Sequence, residues 1–348
     1  MMTNQVNQLK KWLPFAALLF AIWGIITALD FQNHTYTGFR TDAQKNIISV
    51  EENSPAALAG MQVGDVLTKV DGIGIDDWSA FRDNPRPLVG EIWAYEVSRN
   101  GEIQKLNLTF APESSKNNWL SYLGVLVGFI FLLTGFWIAR SHTSTPALYF
   151  SFFAIFFSMI FFSGPYFANG LVRDLVDSVE LLPFLTGLVG LIYFLLNFPT
   201  RSSFLDKKQS NLIILAPAVL MAVVIIGIIL LRPDANSGIR NLLNIIKGVV
   251  PIFYFGWALV LLFKKVRHYS AAERNEKGIN FMLWGALLGF VPILIVILTN
   301  LLAPKIVLPG GDYAFLTFGF LPILFAFGIQ RLMEGRESGI GEDELSAA

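Results

Sequence analysis

The side chains able to do chemistry are few. The sequence holds three histidines, His34, His142 and His268, and no cysteine. Hydrolysis by zinc calls for two histidines and a glutamate on one helix face, in the spacing His-Glu-x-x-His. None of these histidines has such a partner, and none falls in the middle of an apolar run. The lack of cysteine excludes disulfides, thiol catalysis and thiolate metal sites. A Gly-x-Ser-x-Gly nucleophile turn with a partner histidine is also absent. These residues predict no catalytic group, no cofactor and no bound metal, and the chain is expected not to be an enzyme.

The elements available to position any site are long apolar runs. Of 348 residues, 54% are hydrophobic and 15% charged, against about a quarter charged in soluble domains. The runs are Trp12–Leu29, Trp119–Ile138, Ala147–Gly164, Leu181–Phe198, Leu212–Leu231, Ile245–Phe263, Ile279–Leu302 and Tyr313–Gln330. Their lengths suit the ~30 Å hydrocarbon layer of a bilayer. The first run follows Lys10 and Lys11 and reads as an uncleaved anchor, since no small-x-small cleavage site follows it. Transporters usually place charge near the membrane midplane. Here Glu180 and Lys247 lie at run ends, and the central polar residues are Thr134, Ser158, Thr186, Asn280 and Asn300. These read as helix–helix hydrogen bonds, which leaves a transporter as the third reading. Gly124-x-x-x-Gly128 is a close-packing pattern, and Pro217, Pro251, Pro292 and Pro322 predict kinks. The chain has no net charge, and nucleic acid is not an expected partner.

Lysine and arginine in the flanking loops set orientation. With the N-terminus inside, 13 basic residues fall on the cytoplasmic side, from Lys10 and Lys11 through Lys264, Lys265 and Arg267 to Arg336. On the outer side, leaving out the folded insert 31–115, there are 6: Lys116, Arg173, Arg232, Arg240, Lys247 and Lys305. Eight crossings return the C-terminus to the cytoplasm. The expected location is a bacterial inner membrane, with lipid as a partner. The short acidic tail after Arg331 is expected to fray.

Residues 31–115 break the apolar pattern and are long enough for one small domain. Ser54 is a good N-cap, Pro55 suits the first helical position, and Gly60 suits a left-handed stop. Val66–Val70 reads as a strand between the Gly64-Asp65 and Asp71-Gly72 turns. Trp93–Val97 and Ile103–Leu108 flank Asn100-Gly101, a pair that favours a tight hairpin.

The string Ser54-Pro55-Ala56-Ala57-Leu58-Ala59-Gly60-Met61, continuing through Gly64-Asp65-Val66-Leu67 to Gly72, closely resembles bacterial PDZ domains. The resemblance implies that Tyr36-Thr37-Gly38-Phe39 is the loop that receives a peptide carboxylate on backbone N–H groups. The peptide would add a strand to the sheet edge. It also implies a groove helix at Asp76–Asp83, with Trp78 and Phe81 lining the pocket. The plainer reading, with Gly38 as a turn residue and Trp78 and Phe81 as core, stays open. Membrane metalloproteases also carry PDZ domains beside their helices, but they need the missing histidine pair.

The membrane helices resemble the input half of competence-pheromone-type sensor histidine kinases. The residues that carry this are Tyr193–Pro199, Arg274–Pro292 with Trp284-Gly285, and Leu321–Leu332. That family continues into a phospho-accepting histidine and a nucleotide-binding domain. Here no histidine follows His268, and Met333–Ala348 contains no Gly-rich nucleotide loop.

The expected architecture is a polytopic α-helical membrane protein of about eight spans. An extracytoplasmic PDZ-like α+β domain lies between spans one and two. The divisions are 1–30 anchor helix, 31–115 PDZ-like domain, 116–331 seven-helix bundle and 332–348 cytoplasmic tail. The expected function is a non-catalytic receptor or sensor input module. Its partners would be an extracytoplasmic peptide or protein C-terminus and a cytoplasmic signalling partner or a second copy. The alternative is a membrane-anchored PDZ adaptor without signalling.

Overall fold

The computed structural model describes residues 2–42, 44–77, 80, 84–113, 115–231, 238–302 and 308–346. Local rules account for much of the polar insert. Ser54 takes an extended backbone conformation and its side chain accepts the Ala57 N–H, while Pro55 opens the helix Pro55–Leu58. Gly60 then ends that helix at φ +84°, a left-handed conformation that costs glycine nothing sterically. Asn100 and Gly101 both take positive φ. They join β6 (Ile92–Arg99) to β7 (Glu102–Thr109) in register, with Arg99 opposite Glu102. Strand β4 (Val66–Val70) has the bounds its sequence predicts. It pairs β6 on one side and β5 (Ile73–Gly74) on the other, giving the order β5-β4-β6-β7.

Two smaller ladders complete the domain. Strand β1 (Thr35–Tyr36) pairs β8 (Ala111–Pro112) and fastens the two ends of the insert together. Strand β2 (Phe39–Thr41) pairs β3 (Ile47–Val50). The core between these layers is formed by Ile47, Ala56, Met61, Leu67, Val70, Tyr95, Val97, Leu108 and Phe110. This is a small PDZ-like sheet domain with a core of its own.

The rest is helical. Among the described residues, seven helices are long and apolar enough to cross a membrane. The eighth expected span is shorter: a helix Thr145–Phe157 followed by a 3-10 turn Ser158–Phe161. It packs tightly on the helix Leu181–Asn197. A methyl group on Gly187 would meet the Phe157 backbone nitrogen at 2.7 Å, so only glycine permits this approach. Gly128 of the expected close-packing pair is similarly filled, by the Phe162 ring. The interior is rich in phenylalanine, with Phe131, Phe150, Phe153, Phe194 and Phe198 almost fully buried. The final helix runs from Phe320 to Ser346. The segment after Arg331, expected as a short tail, belongs to this helix as far as Ser346.

Pro217 interrupts the backbone ladder of the helix Ser210–Leu231. Beside it, the Ala218 N–H donates to the Tyr254 hydroxyl at 3.1 Å, and that hydroxyl donates to the Ile214 carbonyl at 2.6 Å. The fully buried Tyr254 thus inserts between a helical donor and its usual acceptor. It bonds the helix Ser210–Leu231 to the long helix Gly238–His268.

Candidate functional site

The open edge of the insert lies at β2. Phe39 and Val50 face each other across the β2–β3 ladder, and the Glu51 N–H donates to the Gly38 carbonyl at 2.8 Å. In an antiparallel ladder, a residue flanked by such a bond points its own N–H and C=O to the other side. The Phe39 backbone therefore faces away from β3. Among the described residues β2 has no second neighbouring strand.

The Tyr36–Phe39 loop that precedes this edge is rigidly held. The Thr37 carbonyl accepts the Ala56 N–H at 2.9 Å, and the Ser54 hydroxyl donates to the Gly38 carbonyl at 3.4 Å. Gly38 is buried at φ +79°. The Tyr36 hydroxyl donates to the Glu51 carboxylate. Burial first, and then this bond to Glu51, push the Tyr36 phenol up to about 12. With the carbonyls turned to the Ser54–Ala56 corner, the Thr37 and Gly38 N–H groups take no partner among the described residues. Phe39 presents its backbone at the edge, while its ring packs edge-on against Tyr95 at 5.9 Å. Of the expected site residues, the structure brings Tyr36, Thr37, Gly38 and Phe39 together at one end of β2. Trp78 and Phe81 lie outside the described residues, as does the expected Asp76–Asp83 helix apart from Asp76, Asp77 and Ala80.

Two features escape a reading of the sequence. The Asp65 side chain is almost fully buried, and Arg99 grips it with two bonds of 2.7 Å. Arg99 also donates to the Gly60 carbonyl at 2.8 Å, and Asp65 accepts the Gln62 N–H at 2.8 Å. The Arg99 bond holds the Asp65 carboxyl below its usual range. This clamp joins the signature turn to the end of β6. The Gly-Asp pair in the signature is the only sequence signal for it, and it does not name Arg99.

The second feature is a joint between the insert and the helices. The Tyr166 hydroxyl donates to the Pro87 carbonyl, and its backbone N–H donates to the Asp30 carboxylate. The Arg86 N–H donates to the Ala168 carbonyl at 2.9 Å. The His34 ring lies 5.6 Å from the Tyr166 ring and 5.7 Å from that of Phe31. His34 Nε2 is buried without a hydrogen-bond partner among the described residues. Burial depresses the His34 imidazole, opposed by the Asp30 and Glu113 carboxylates and reinforced by Arg86. Deeper in the bundle, the Trp23 indole donates to the Glu180 carboxylate at 2.8 Å and ties the first helix to the end of the segment Gly170–Val179.

A zinc hydrolase centre holds its metal with three protein side chains. Among the described residues no three His, Asp or Glu side chains come together in a way that could hold a metal. His34 lies at the joint, His142 follows the helix Ser115–Ser141, and His268 ends the helix Gly238–His268. These residues do not fit a zinc centre.

Residues 47–82 match the PDZ domain family. The zinc metalloprotease RasP of Shouchella clausii is 37% identical over 75 residues, 21% of this chain and 18% of that protein. The regulator of sigma-E protease RseP of Escherichia coli is 40% identical over 86 residues, 24% of this chain and 17% of RseP. The Salmonella typhimurium RseP is 40% identical over 73 residues, 20% of this chain and 15% of that protein. The chain thus spans less than a fifth of the length of each of these relatives. They are proteases rather than sensor kinases. They overturn the expectation of a non-catalytic receptor or sensor input module, and with it the expectation that the chain is not an enzyme. The missing histidine pair turned the reading away from proteases, whereas the shared stretch, of about the insert's size, points towards them. What the findings support is a PDZ domain within a multi-pass membrane protein whose relatives are proteases of bacteria.

Proposed function

We propose that this chain serves proteolysis at the membrane, with its PDZ domain recognising the C-terminal ends of polypeptides. The observation that carries the reading is the open β2 edge running directly into the Thr37-Gly38 N–H groups. A bound chain would add a strand beside Phe39–Thr41, and its terminal carboxylate would meet those N–H groups. The relatives supply the link to proteolysis; the recognition chemistry comes from this chain's own residues.

In this reading the PDZ domain lies outside the cytoplasm and both termini lie inside, as the 13-to-6 distribution of basic residues favours. Tyr166 meets Asp30 and Pro87, so the chain returns to the PDZ end of the bundle after the helix Ser115–Ser141 leaves it. That return supports Thr145–Phe161 as a crossing, and eight crossings in all. The test is to replace residues 31–113 by a flexible linker in the producing cell and profile the fragments of its membrane proteins. A changed set of uncut or partly cut envelope proteins is expected. An unchanged profile, with the variant present at the normal level, would overturn the reading.

A further inference from the structure

Away from the PDZ domain, a groove of about 560 Å³ opens between the helices Gly238–His268 and Ile279–Leu302. Its size falls within the range of ~300–1,000 Å³ typical of ligand sites. One wall is a row at helical spacing, Leu259, Phe263 and Arg267, with Lys264 beside it; the other includes Leu287 and Val291. Phe263, Leu287 and Val291 are exposed, so no other helix among the described residues covers them. The apolar part lies within the candidate spans Gly248–His268 and Ile279–Val296, and the basic part at the end of the first of them. The Arg267 guanidinium lies 4.6 Å from the centre of the Phe263 ring, which holds it along the mouth of the groove. Acyl carbon suits the walls. At the basic end, two cations at headgroup depth suit a phosphate, which arginine binds through paired N–H groups.

We infer that this groove is a binding site for one anionic phospholipid, with an acyl chain along Leu259, Phe263, Leu287 and Val291 and its phosphate on Lys264 and Arg267. A basic loop that only sets orientation would leave lipid identity indifferent; a built site selects one.

The full-length protein, reconstituted in nanodiscs of equal phosphatidylcholine and phosphatidylglycerol, is released into the gas phase and its retained lipids are weighed. The native chain should retain phosphatidylglycerol over phosphatidylcholine by at least about tenfold. The double variant Lys264→Gln with Arg267→Gln should lose that preference. Lys207→Gln with Lys208→Gln, on another basic segment, should keep it. Leu287→Trp, which fills the groove, should lower retention of both lipids. No preference in the native chain, or a preference untouched by either groove variant, would overturn the assignment.

Discussion

Ser54 occupies the space that a side chain on Gly38 would need: a methyl group there would come within 2.1 Å of the Ser54 Cβ. The helix cap and the Tyr36–Phe39 loop are therefore packed face to face, and each fixes the other. Gly38→Val combines this collision with a positive φ that a branched residue rarely adopts. It should destabilise the domain by about 2–4 kcal/mol. A denaturant titration of the isolated insert, residues 31–113, should show a cooperative transition in the native sequence and a lower midpoint in the variant. A variant as stable as the native insert would mean that the loop can move off the Ser54 corner.

The Asp65–Arg99 clamp should be felt as strongly. Asp65→Asn leaves Arg99 without its charged partner, and a lower unfolding midpoint of the insert is expected. The pH dependence has a definite sign. The folded carboxyl titrates below its ordinary 3.8, so its contribution is complete above 3.8 and is lost as pH falls further. Acid denaturation curves of the native and Asp65→Asn inserts should converge at low pH. Curves that stay parallel would assign the stability elsewhere.

His34 predicts a second pH effect, at the joint. Its folded imidazole titrates below the ordinary 6.5, so the unfolded chain takes up the proton first as pH falls. The joint should be fully stable above 6.5 and weaken as pH drops through that value. Thermal melts of the full-length protein in detergent would show this as a falling midpoint between neutral pH and about pH 5. His34→Gln should flatten that dependence; an equal slope in the variant would clear His34 of the role.

How far the sequence led depended on the range of each interaction. The cap at Ser54, the stop at Gly60, strand β4 and the Asn100-Gly101 hairpin depend on neighbours a few residues apart, and all were legible. The Tyr36–Phe39 loop was singled out only through its resemblance, because nothing local to it names Ser54 or Ala56 as its supports. Arg99 reaches Asp65 across 34 positions, and Tyr166 reaches Asp30 across 136. Such partners leave no periodic mark. The 3-10 turn Ser158–Phe161 in the third apolar run is likewise not revealed by the spacing of apolar residues. The tie to proteases was missed for a different reason: the residues sought were metal ligands, whereas the similarity is a stretch of 73 to 86 residues, about a fifth to a quarter of the chain.

Tyr254 offers a test inside the bundle. Tyr254→Phe removes the hydroxyl that serves both Ala218 and Ile214, leaving a buried donor and acceptor unpaired beside Pro217. A loss of about 1–3 kcal/mol is expected, read as a lower midpoint for unfolding of the full-length protein in mixed micelles. No change would indicate that water or a helix shift replaces the hydroxyl.

The most direct measurement is peptide binding to the full-length protein in nanodiscs. A C-terminal peptide library is screened with a photo-crosslinking residue at Arg40, an exposed position on β2. Each hit is then remade with an amidated C-terminus. Capture at Arg40 is expected, with binding at least about tenfold weaker for the amide, a difference of about 1.4 kcal/mol. A tight hit that crosslinks elsewhere, or that binds equally well as the amide, would contradict recognition of chain ends at Thr37-Gly38.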